Sequence, residues 1–371
     1  MFHLFISPIY QNFLKPFLFK KDPEEVHDNF IRIGAFLSSH RITRAFTALL
    51  FNYHHHMLES NVDGLKYLNP IGLSAGFDKD ANLHNIMPKV GFGFEEVGSV
   101  TLRPYEGNPK PRLYRLFNSK GLVVYYGLKN IGVEKIVERV KVRLDPNFIL
   151  GISVAKTNSK DCSTDVGGID DYVGSLKILE KANVGDYYTI NISCPNTYGG
   201  EPFTTPERLD PLLATIDELD IQKPVYIKMP INHKWEEFDK LLQVVVKHRI
   251  NGVVIGNLNK DRSSELIKDE IPEHIKGGIS GVPTRQLSTE LIRKTYMNYG
   301  NDLTIIGVGG IFTAEDAYEK ILAGASLLQM ITGMIFGGPQ TIGEINRGLV
   351  SFLKRDGYAT LSEAIGKGAI K

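Results

Sequence analysis

Short apolar runs alternate with helix-length segments along most of this chain, beginning near residue 71. Eight of these runs have the length and composition of buried strands: Ile71–Phe77, Phe94–Val100, Phe148–Ala155, Tyr187–Ile192, Val225–Met229, Gly252–Gly256, Leu303–Val308 and Ser326–Ile331. Strands separated in this way predict parallel βαβ units, and eight parallel strands are the number that closes a barrel. The predicted fold class is therefore α/β, a (β/α)8 TIM barrel with an N-terminal helical extension.

The segments between the strands support this prediction. Apolar residues recur at helical spacing in Val133–Val142, Tyr172–Lys181, Trp235–His248, Thr289–Met297 and Ala314–Leu322. Two connections are much longer, Thr101–Tyr126 and Leu258–Pro283, and both follow predicted strand ends. Long connections at that edge usually carry function, so we expect these inserts to lie over the catalytic face as lids or extra strands.

The chain before the barrel predicts a separate helical piece, which divides the protein into an extension, 1–60, and a barrel, 61–371. Asp22 and Pro23 supply an N-cap carboxylate and a proline at the first helical position. A second helical stretch follows around Phe46. One interpretation is a helical hairpin packed on the barrel.

The alternative interpretation places this extension in a membrane interface. Between Phe2 and Phe19 aromatic residues are mixed with Lys15, Lys20 and Lys21, a combination suited to that environment. The sequence thus predicts an extension that gives access to a membrane surface.

Composition narrows the possible partners. The 371 residues carry a formal net charge of +1, which gives no indication of nucleic-acid binding. The two cysteines, Cys162 and Cys194, lack the spacing of a metal site or a disulfide framework, so no metal is predicted and a reducing, cytoplasmic setting is favoured. No uncharged apolar run reaches the roughly 18 residues that a spanning helix needs.

The motif NISCPNT, residues 191–197, ends the fourth predicted strand and places a thiol at the face where such barrels keep their active sites. A single cysteine is most often an inert buried residue. Cys194 instead precedes a proline at a polar strand exit, which favours a role as proton acceptor. Asn191, Asn196 and Asn257 lie at neighbouring strand ends, and each carboxamide both donates and accepts, as the edge of a cyclic imide requires.

A glycine-rich turn, Gly307-Val-Gly-Gly-Ile311, follows the seventh strand and predicts a phosphate-binding site. Thr332, after the eighth strand, would complete this site. Lys79 follows the first strand, and Lys228 lies within the apolar fifth strand. A buried lysine is costly without a partner, and a cofactor that gains negative charge on reduction, such as a flavin, would supply one.

The motifs SAGFDKD, GNPKPRLYRL, NISCPNT, GISG, IIGVGGI and AGASLLQ together resemble the dihydroorotate dehydrogenases, specifically the quinone-using class 2. The resemblance covers nearly the whole chain, including the helical extension typical of that class. It implies an FMN-containing barrel that oxidises dihydroorotate to orotate in pyrimidine synthesis, with Cys194 taking a proton from C5 while hydride passes from C6 to the flavin. It also implies a quinone reached through the N-terminal helices and peripheral attachment to the cytoplasmic side of the inner membrane, and it leaves the oligomeric state open.

Carried over by position, the resemblance assigns functional contacts to this chain. Matching flavin contacts are Ala75, Gly76, Lys79, Ser99, Asn191, Lys228, Gly281, Gly310 and Thr332. Matching substrate contacts are Lys79, Asn191, Asn196 and Asn257, and Arg115 matches an arginine near the quinone path.

Several positions depart from the family pattern. Class 2 members usually have serine at Cys194, and the thiol is the stronger acid, so a thiolate base needs less help near neutral pH. At the flavin site, Ser153 replaces an asparagine, Gly256 a hydroxyl residue and Ile331 a tyrosine. In the predicted substrate segment, Val124 replaces an asparagine and is followed by Tyr125, Tyr126, Gly127 and Leu128.

Losing an amide that pairs with a buried substrate costs about 1 to 3 kcal/mol unless another group replaces it, and Tyr125 or Tyr126 is a candidate. Two alternatives therefore stay open. One is an oxidoreductase of the same fold acting on another dihydropyrimidine or cyclic amide. The other is a non-catalytic flavin-binding protein associated with the membrane.

Overall fold

A computed structural model describes residues 3–369, with side-chain surroundings from residue 6 onward. Its strands are, in chain order, β1 Ser60–Val62, β2 Leu65–Tyr67, β3 Ile71–Leu73, β4 Phe94–Val100, β5 Leu113–Leu116, β6 Gly121–Val124, β7 Ile149–Val154, β8 Tyr187–Asn191, β9 Val225–Met229, β10 Gly252–Ile255, β11 Gly278–Gly281, β12 Thr304–Val308 and β13 Leu327–Met330. Strands β3, β4, β7, β8, β9, β10, β12 and β13 pair in parallel and close a barrel. These are the eight predicted strands, so the predicted barrel is confirmed.

The amino-terminal end of the barrel is filled by large side chains. Tyr67, Phe94, Tyr187 and Tyr226 pack together there, and the hairpin of β1 and β2, which was not predicted, covers them. Above this layer the buried Glu96 carboxylate accepts hydrogen bonds from side chains of β8 and β13. The interior of the barrel is therefore a packed core at this end, and a cleft opens at the carboxyl ends of the strands.

The N-terminal extension begins with the helices α1 His3–Ile9, α2 Lys15–Leu18, α3 Pro23–Ser39 and α4 Arg41–Phe51, with a π-helical turn, Tyr10–Leu14, between α1 and α2. The predicted helix start is confirmed, since Asp22 Oδ1 accepts a hydrogen bond from Glu25 N at 2.9 Å. Tyr10 and Gln11 donate side-chain hydrogen bonds to carbonyls of residues 335–337 and so tie the extension to the barrel.

Large apolar side chains of the extension remain exposed: Ile9, Phe13, Leu14, Phe17, Phe30, Ile33, Phe36, Ile42, Phe46 and Leu49. Among the described residues no helix is long and apolar enough to cross a membrane. Phe2, part of the predicted interfacial segment, lies outside the described residues.

The remaining helices are α5 Met87–Val90, α6 Val133–Val140, α7 Asp165–Ala182, α8 Pro206–Asp217, α9 Trp235–Val245, α10 Arg285–Tyr299, α11 Ala314–Leu322, α12 Thr332–Gly337, α13 Thr341–Arg355 and α14 Leu361–Ala364. The five predicted barrel helices are confirmed, while α8 and α13 were not predicted. Helix α6 illustrates why they form: Val133, Ile136, Val137 and Val140 recur at helical spacing and are all buried.

The two predicted inserts supply a small antiparallel sheet. Strands β5 and β6 come from Thr101–Tyr126, and β11 comes from Leu258–Pro283. They pair in the order β11-β6-β5, with Val124 opposite both Gly278 and Leu113. The expected extra strands are thus confirmed, and they stand over the carboxyl ends of the barrel strands.

Candidate active site

A cleft of about 920 Å³ lies between the carboxyl ends of the barrel strands and the small antiparallel sheet. It brings together most of the predicted site residues, namely Ala75, Gly76, Lys79, Ser99, Val124, Tyr126, Gly127, Leu128, Asn191, Cys194, Asn196, Lys228, Asn257, Ile331 and Thr332. Clefts that combine apolar walls with a few convergent polar groups are typical of small-molecule sites.

Cys194 lies on the loop after β8, and its side chain is partly exposed toward the cleft. Hydrogen bonds to other segments fix the residues beside it. Asn196 Nδ2 donates to Val124 O at 2.9 Å, and Asn108 Nδ2 donates to Asn196 O at 2.9 Å. Asn158 Oδ1 accepts from the amide of Tyr198 at 2.6 Å. The thiol is thus mounted on a well-anchored segment.

Desolvation raises the pKa of the Cys194 thiol to about 11, and the charge of Glu201 adds to the rise. Lys156 and Lys228 lower it, as does a backbone hydrogen bond from Asn196. The comparison of thiol with alcohol considered only the unperturbed acidities, and burial adds to the help that the Cys194 thiolate needs. Surrounding protein removes the water that stabilises a thiolate, a cost that cannot be seen in the sequence.

A chain of hydroxyl and amide groups runs behind the cleft. Asn191 Nδ2 donates to Ser99 Oγ at 2.8 Å, and Ser99 Oγ lies 2.8 Å from Ser153 Oγ. Ser153 is fully buried and does not line the cleft, so the structure places this predicted cofactor contact one hydrogen bond behind Ser99. On the other side, Asn257 Nδ2 donates to Ser193 Oγ at 2.8 Å.

Two lysines reach the cleft from neighbouring parts of the barrel. Lys228 Nζ is buried, and among residues 3–369 it has one weak hydrogen-bond partner, Ser74 Oγ at 3.4 Å. Desolvation lowers its pKa, while the charges of Glu96 and Cys194 oppose that shift. Lys79 Nζ lies 3.9 Å from the centre of the Tyr126 ring, and desolvation lowers its pKa to about 8. The cleft therefore offers cationic groups with spare hydrogen-bonding capacity.

The deeper end of the cleft is lined by backbone. Predicted residues Gly256, Gly281, Gly310, Ile331 and Thr332 lie here, together with Gly309 and Gly333. A Cβ at Gly310, where φ is +70°, would clash with Arg285, which shows why glycine is required at this turn. Thr332 begins α12, and its Oγ1 lies 2.8 Å from Ser280 Oγ. Backbone amides beside a helix start form a suitable seat for a phosphate.

The predicted substrate segment is only partly in the cleft. Val124, Tyr126, Gly127 and Leu128 line it, whereas Tyr125 does not and instead donates its backbone N–H to Arg112 O at 2.8 Å. The alternation of side chains at the end of β6 turns Tyr125 away. The Tyr126 hydroxyl is buried and makes no hydrogen bond to the described residues.

A second, apolar pocket of about 710 Å³ adjoins the cleft beneath the N-terminal helices. Its walls include Tyr10, Phe19 and Phe30 from the extension, and Arg115 from β5. The Arg115 guanidinium donates to backbone carbonyls of Phe19 and Lys21 and lies 4.8 Å from the centre of the Phe19 ring. Arg115 thus links the extension to the barrel at this pocket.

Some residues near the site were not predicted. His27, on α3, lines both pockets, and its Nε2 donates to Phe77 O at 2.9 Å. Lys156 is buried directly after β7 and donates to Tyr198 O at 3.0 Å. Its position after a strand is the signal used for Lys79, and the same reasoning would have found it. His27 carries no such signal, because only packing brings α3 to the cleft.

A family model described as dihydroorotate dehydrogenase matches residues 57–353. The chain belongs to the dihydroorotate dehydrogenase family. Curated relatives named dihydroorotate dehydrogenase (quinone) include one from Acaryochloris marina, 37% identical over 97% of this chain and 99% of the relative. Another, from Crocosphaera subtropica, is 37% identical over 98% of this chain and 98% of its own length. The resemblance to the quinone-linked class is therefore confirmed.

Solved structures of the dihydroorotate dehydrogenase from Eimeria tenella have the same fold. The complex with ferulenol superposes with a TM-score of 0.82 at 28% identity, over 93% of this chain and 95% of the other. The ligand-free form gives a TM-score of 0.83 at 27% identity, over 93% and 99%. This similarity supports the barrel fold.

Proposed function

We propose that this protein is a quinone-linked, FMN-dependent dihydroorotate dehydrogenase that oxidises dihydroorotate to orotate in pyrimidine synthesis. The observation that carries the proposal is the convergence, in one cleft, of Cys194, three asparagines and two lysines beside a glycine-lined cradle. The thiol, the asparagines and the lysines come from four separate barrel strands, β3, β8, β9 and β10. The names of the curated relatives support the same activity.

The residues of the cleft fit FMN. Lys228 is a buried cation with one weak partner, which an electron-rich ring edge would complete. The cradle at Gly310 and Thr332 suits the phosphate, and Ala75, Gly76, Ser99 and Asn191 line the space between. When bound, FMN would accept a hydride and pass electrons on to a quinone.

The protein groups would then act on the substrate ring. Asn191, Asn196 and Asn257 offer donors and acceptors for the imide edge, and Lys79 offers a cation for the carboxylate. Cys194 Sγ, as thiolate, would take the C5 proton and become a neutral thiol. Lys156 and Lys228 favour that thiolate, since both lower the pKa of Cys194. The apolar walls of the cleft would limit the access of water to the reacting atoms.

The adjoining apolar pocket fits a quinone, because its walls are apolar except for groups such as Arg115, Tyr10 and His27. It opens among helices whose exposed faces carry many phenylalanines. An extension of this composition favours peripheral attachment to a membrane, where quinones dissolve. We place it on the cytoplasmic side of the inner membrane, close to a soluble substrate.

An anaerobic spectral titration tests the proposal. The purified holoprotein is mixed with dihydroorotate and the flavin absorbance near 450 nm is followed, then a short-chain quinone is added. We expect bleaching by the substrate and recovery of the absorbance with the quinone. A flavin that stays oxidised with dihydroorotate across the titration range of the thiol contradicts the proposal.

A second candidate function keeps the fold and the flavin but changes the ring. It is favoured by Val124, which presents an apolar side chain to the cleft, and by Ser153, which does not reach it. Other dihydropyrimidines and cyclic amides are screened in the same assay. A Val124→Asn variant that gains turnover of dihydroorotate, in a parent that prefers another compound, supports this candidate.

A further inference from the structure

An ion pair between two helices lies behind the glycine-lined cradle. Arg285 begins α10, and Asp316 lies in the first turn of α11. Arg285 Nη2 is 2.9 Å from Asp316 Oδ2, and the two side chains are 31% and 9% exposed. Neither residue lines the cradle, so the pair can act on a ligand there only through the backbone that it contacts.

The pair fixes the backbone on both sides of Ile311. Arg285 Nε donates to Gly310 O at 2.8 Å, and Asp316 Oδ2 accepts from the amide of Phe312 at 2.9 Å. Gly310 and Ile311 both line the cradle. A short stretch of cradle backbone is thus held at each end by one member of the ion pair.

The direction of the Gly310 carbonyl decides where the next amide points. In a planar trans peptide the C=O and N–H groups point in opposite directions. Because the Gly310 carbonyl is turned outward to Arg285, the amide of Ile311 is turned to the cradle side. Within residues 3–369 the amides of Gly310 and Ile311 donate no hydrogen bond. Both donors are therefore available to an anion.

Arg285 is itself held in place by buried polar groups at the start of α10. The buried Lys320 Nζ donates to Arg285 O at 3.3 Å and to Thr289 Oγ1 at 2.8 Å. It also donates to Ser288 Oγ at 3.1 Å, and that hydroxyl donates to Val308 O at 2.5 Å. The first turn of α10 is thus joined both to α11 and to the strand that leads into the cradle.

We propose that Arg285, paired with Asp316, is a positioning residue that makes the flavin site selective for the 5′-phosphate of FMN. This inference rests on the proposed binding of FMN in the cleft. The guanidinium turns the Gly310 carbonyl outward and so keeps the Ile311 amide available to the phosphate. The flavin ring would lie against other groups, such as Asn191, so its binding does not depend on this backbone. Loss of Arg285 therefore weakens the binding of FMN more than that of riboflavin, which has the same ring and no phosphate.

The test is a competition between FMN and riboflavin for the full-length protein. FMN-loaded protein is equilibrated with mixtures of the two flavins, and the bound flavins are then separated and quantified. In Arg285→Met the preference for FMN over riboflavin should fall about 10-fold, because the charge-assisted hydrogen bond that orients a phosphate donor is lost. A general loosening of the fold weakens the binding of both flavins and leaves this ratio unchanged, a result that overturns the inference.

A second variant and a spectroscopic signal sharpen the test. Lysine offers one nitrogen and cannot serve both the Gly310 carbonyl and Asp316 as the arginine fork does, so Arg285→Lys should lose preference by about 3-fold or more. This variant decides the question if Arg285→Met does not fold, and a ratio equal to that of the parent counts against the proposal. The phosphorus NMR resonance of bound FMN should move toward that of free FMN in both variants.

Arg249→Met is the matched control. Like Arg285, Arg249 donates to a carboxylate, Asp220 Oδ1 at 2.9 Å, and to a backbone carbonyl, that of Asp217. It precedes β10 and so lies at the amino-terminal end of the barrel, away from the cradle. It should leave the ratio and the phosphorus resonance unchanged, and an equal change in this control overturns the inference.

The same competition separates this inference from the proposed function. If the parent binds neither flavin, the proposed function fails. If the parent prefers FMN and the Arg285 variants keep that preference, only the positioning role of Arg285 fails.

Discussion

Two cavities meet above the barrel and differ in what forms their walls. The cleft at Cys194 is built from strand ends and presents lysines and carboxamides, whereas the pocket at Arg115 is built largely from the N-terminal extension and is almost wholly apolar. His27 and Phe77 line both and form part of the wall between them.

The different walls suit two kinds of ligand, a small polar ring in the cleft and an apolar molecule in the second pocket. A small polar ring needs several donors and acceptors at fixed positions, which rigid strand ends provide. An apolar electron acceptor needs mainly an apolar pocket of complementary shape. Helices that pack against the outside of the barrel can form such a pocket. Substitutions in the cleft should therefore affect flavin reduction by the substrate, and substitutions in the apolar pocket should affect reoxidation by the quinone.

The largest effect is expected at Cys194. Replacing it with alanine removes the proton acceptor, so flavin reduction by dihydroorotate should slow on the order of 10²- to 10⁴-fold. Reoxidation by quinone should stay the same, because it uses the other pocket. Anaerobic stopped-flow measurements check both steps, with Cys162→Ser as the control cysteine. If reoxidation by quinone is also slow in Cys194→Ala, the two cavities do not serve separate halves of the reaction.

Lys228→Met should weaken FMN binding about 10- to 100-fold, because a charge-assisted contact is lost. Burial lowers the pKa of Lys228, so the unfolded chain holds that proton more tightly than the folded apoprotein does. Methionine removes this penalty, and the Tm of the apoprotein should rise. Flavin titration and thermal unfolding are measured together; a lower Tm with unchanged FMN affinity speaks against the assignment.

Arg115→Gln should raise the KM for quinone roughly 10-fold, since the guanidinium holds the carbonyls of Phe19 and Lys21 at the apolar pocket. Flavin reduction by dihydroorotate should be unaffected. Steady-state kinetics with varied quinone, beside single-turnover reduction, check the two halves. Equal losses in both would show that the cavities act as one.

The smallest effect concerns His27 in the shared wall. Burial and the charge of Lys79 lower its pKa to about 4, against about 6.5 in an unfolded chain. Its contribution to stability is therefore complete above pH 6.5 and is lost as the pH falls toward 4. Between pH 7 and pH 5 the parent should lose roughly 5 °C or less of Tm beyond the loss in His27→Gln. Thermal unfolding of both proteins at pH 7 and pH 5 measures this difference. An equal fall in Tm for the parent and for His27→Gln would refute the prediction.

The barrel could be predicted because its signals are local. Each strand is a short apolar run, and many end in glycine or proline within a few residues, as at Gly256 and Pro230. The β1–β2 hairpin escaped prediction because it has no apolar run. Its stability comes from Tyr67 packing on Phe94, 27 residues later in the chain.

The residues of the candidate site could be predicted where a reactive side chain lies close to the end of a strand. Cys194, Asn257 and Thr332 each lie within three residues of the end of a strand, and parallel strands bring such residues to one edge. The sequence placed Tyr125 and Ser153 at the ligands, but neither residue lines the cleft. The Tyr125 side chain points away from it, and Ser153 lies behind Ser99. Which of several adjacent residues faces a ligand depends on how β6 and β7 sit in their sheets.

The sequence by itself determined the strand order, the helical extension and the set of reactive groups at the strand ends, because periodicity, glycine turns and residue chemistry act over a few residues. Only the tertiary structure decided the raised pKa of Cys194, the place of His27 between two pockets and the pairing of Arg285 with Asp316. Desolvation and charge interactions depend on groups that are far apart in the chain, and folding alone brings them within reach of each other.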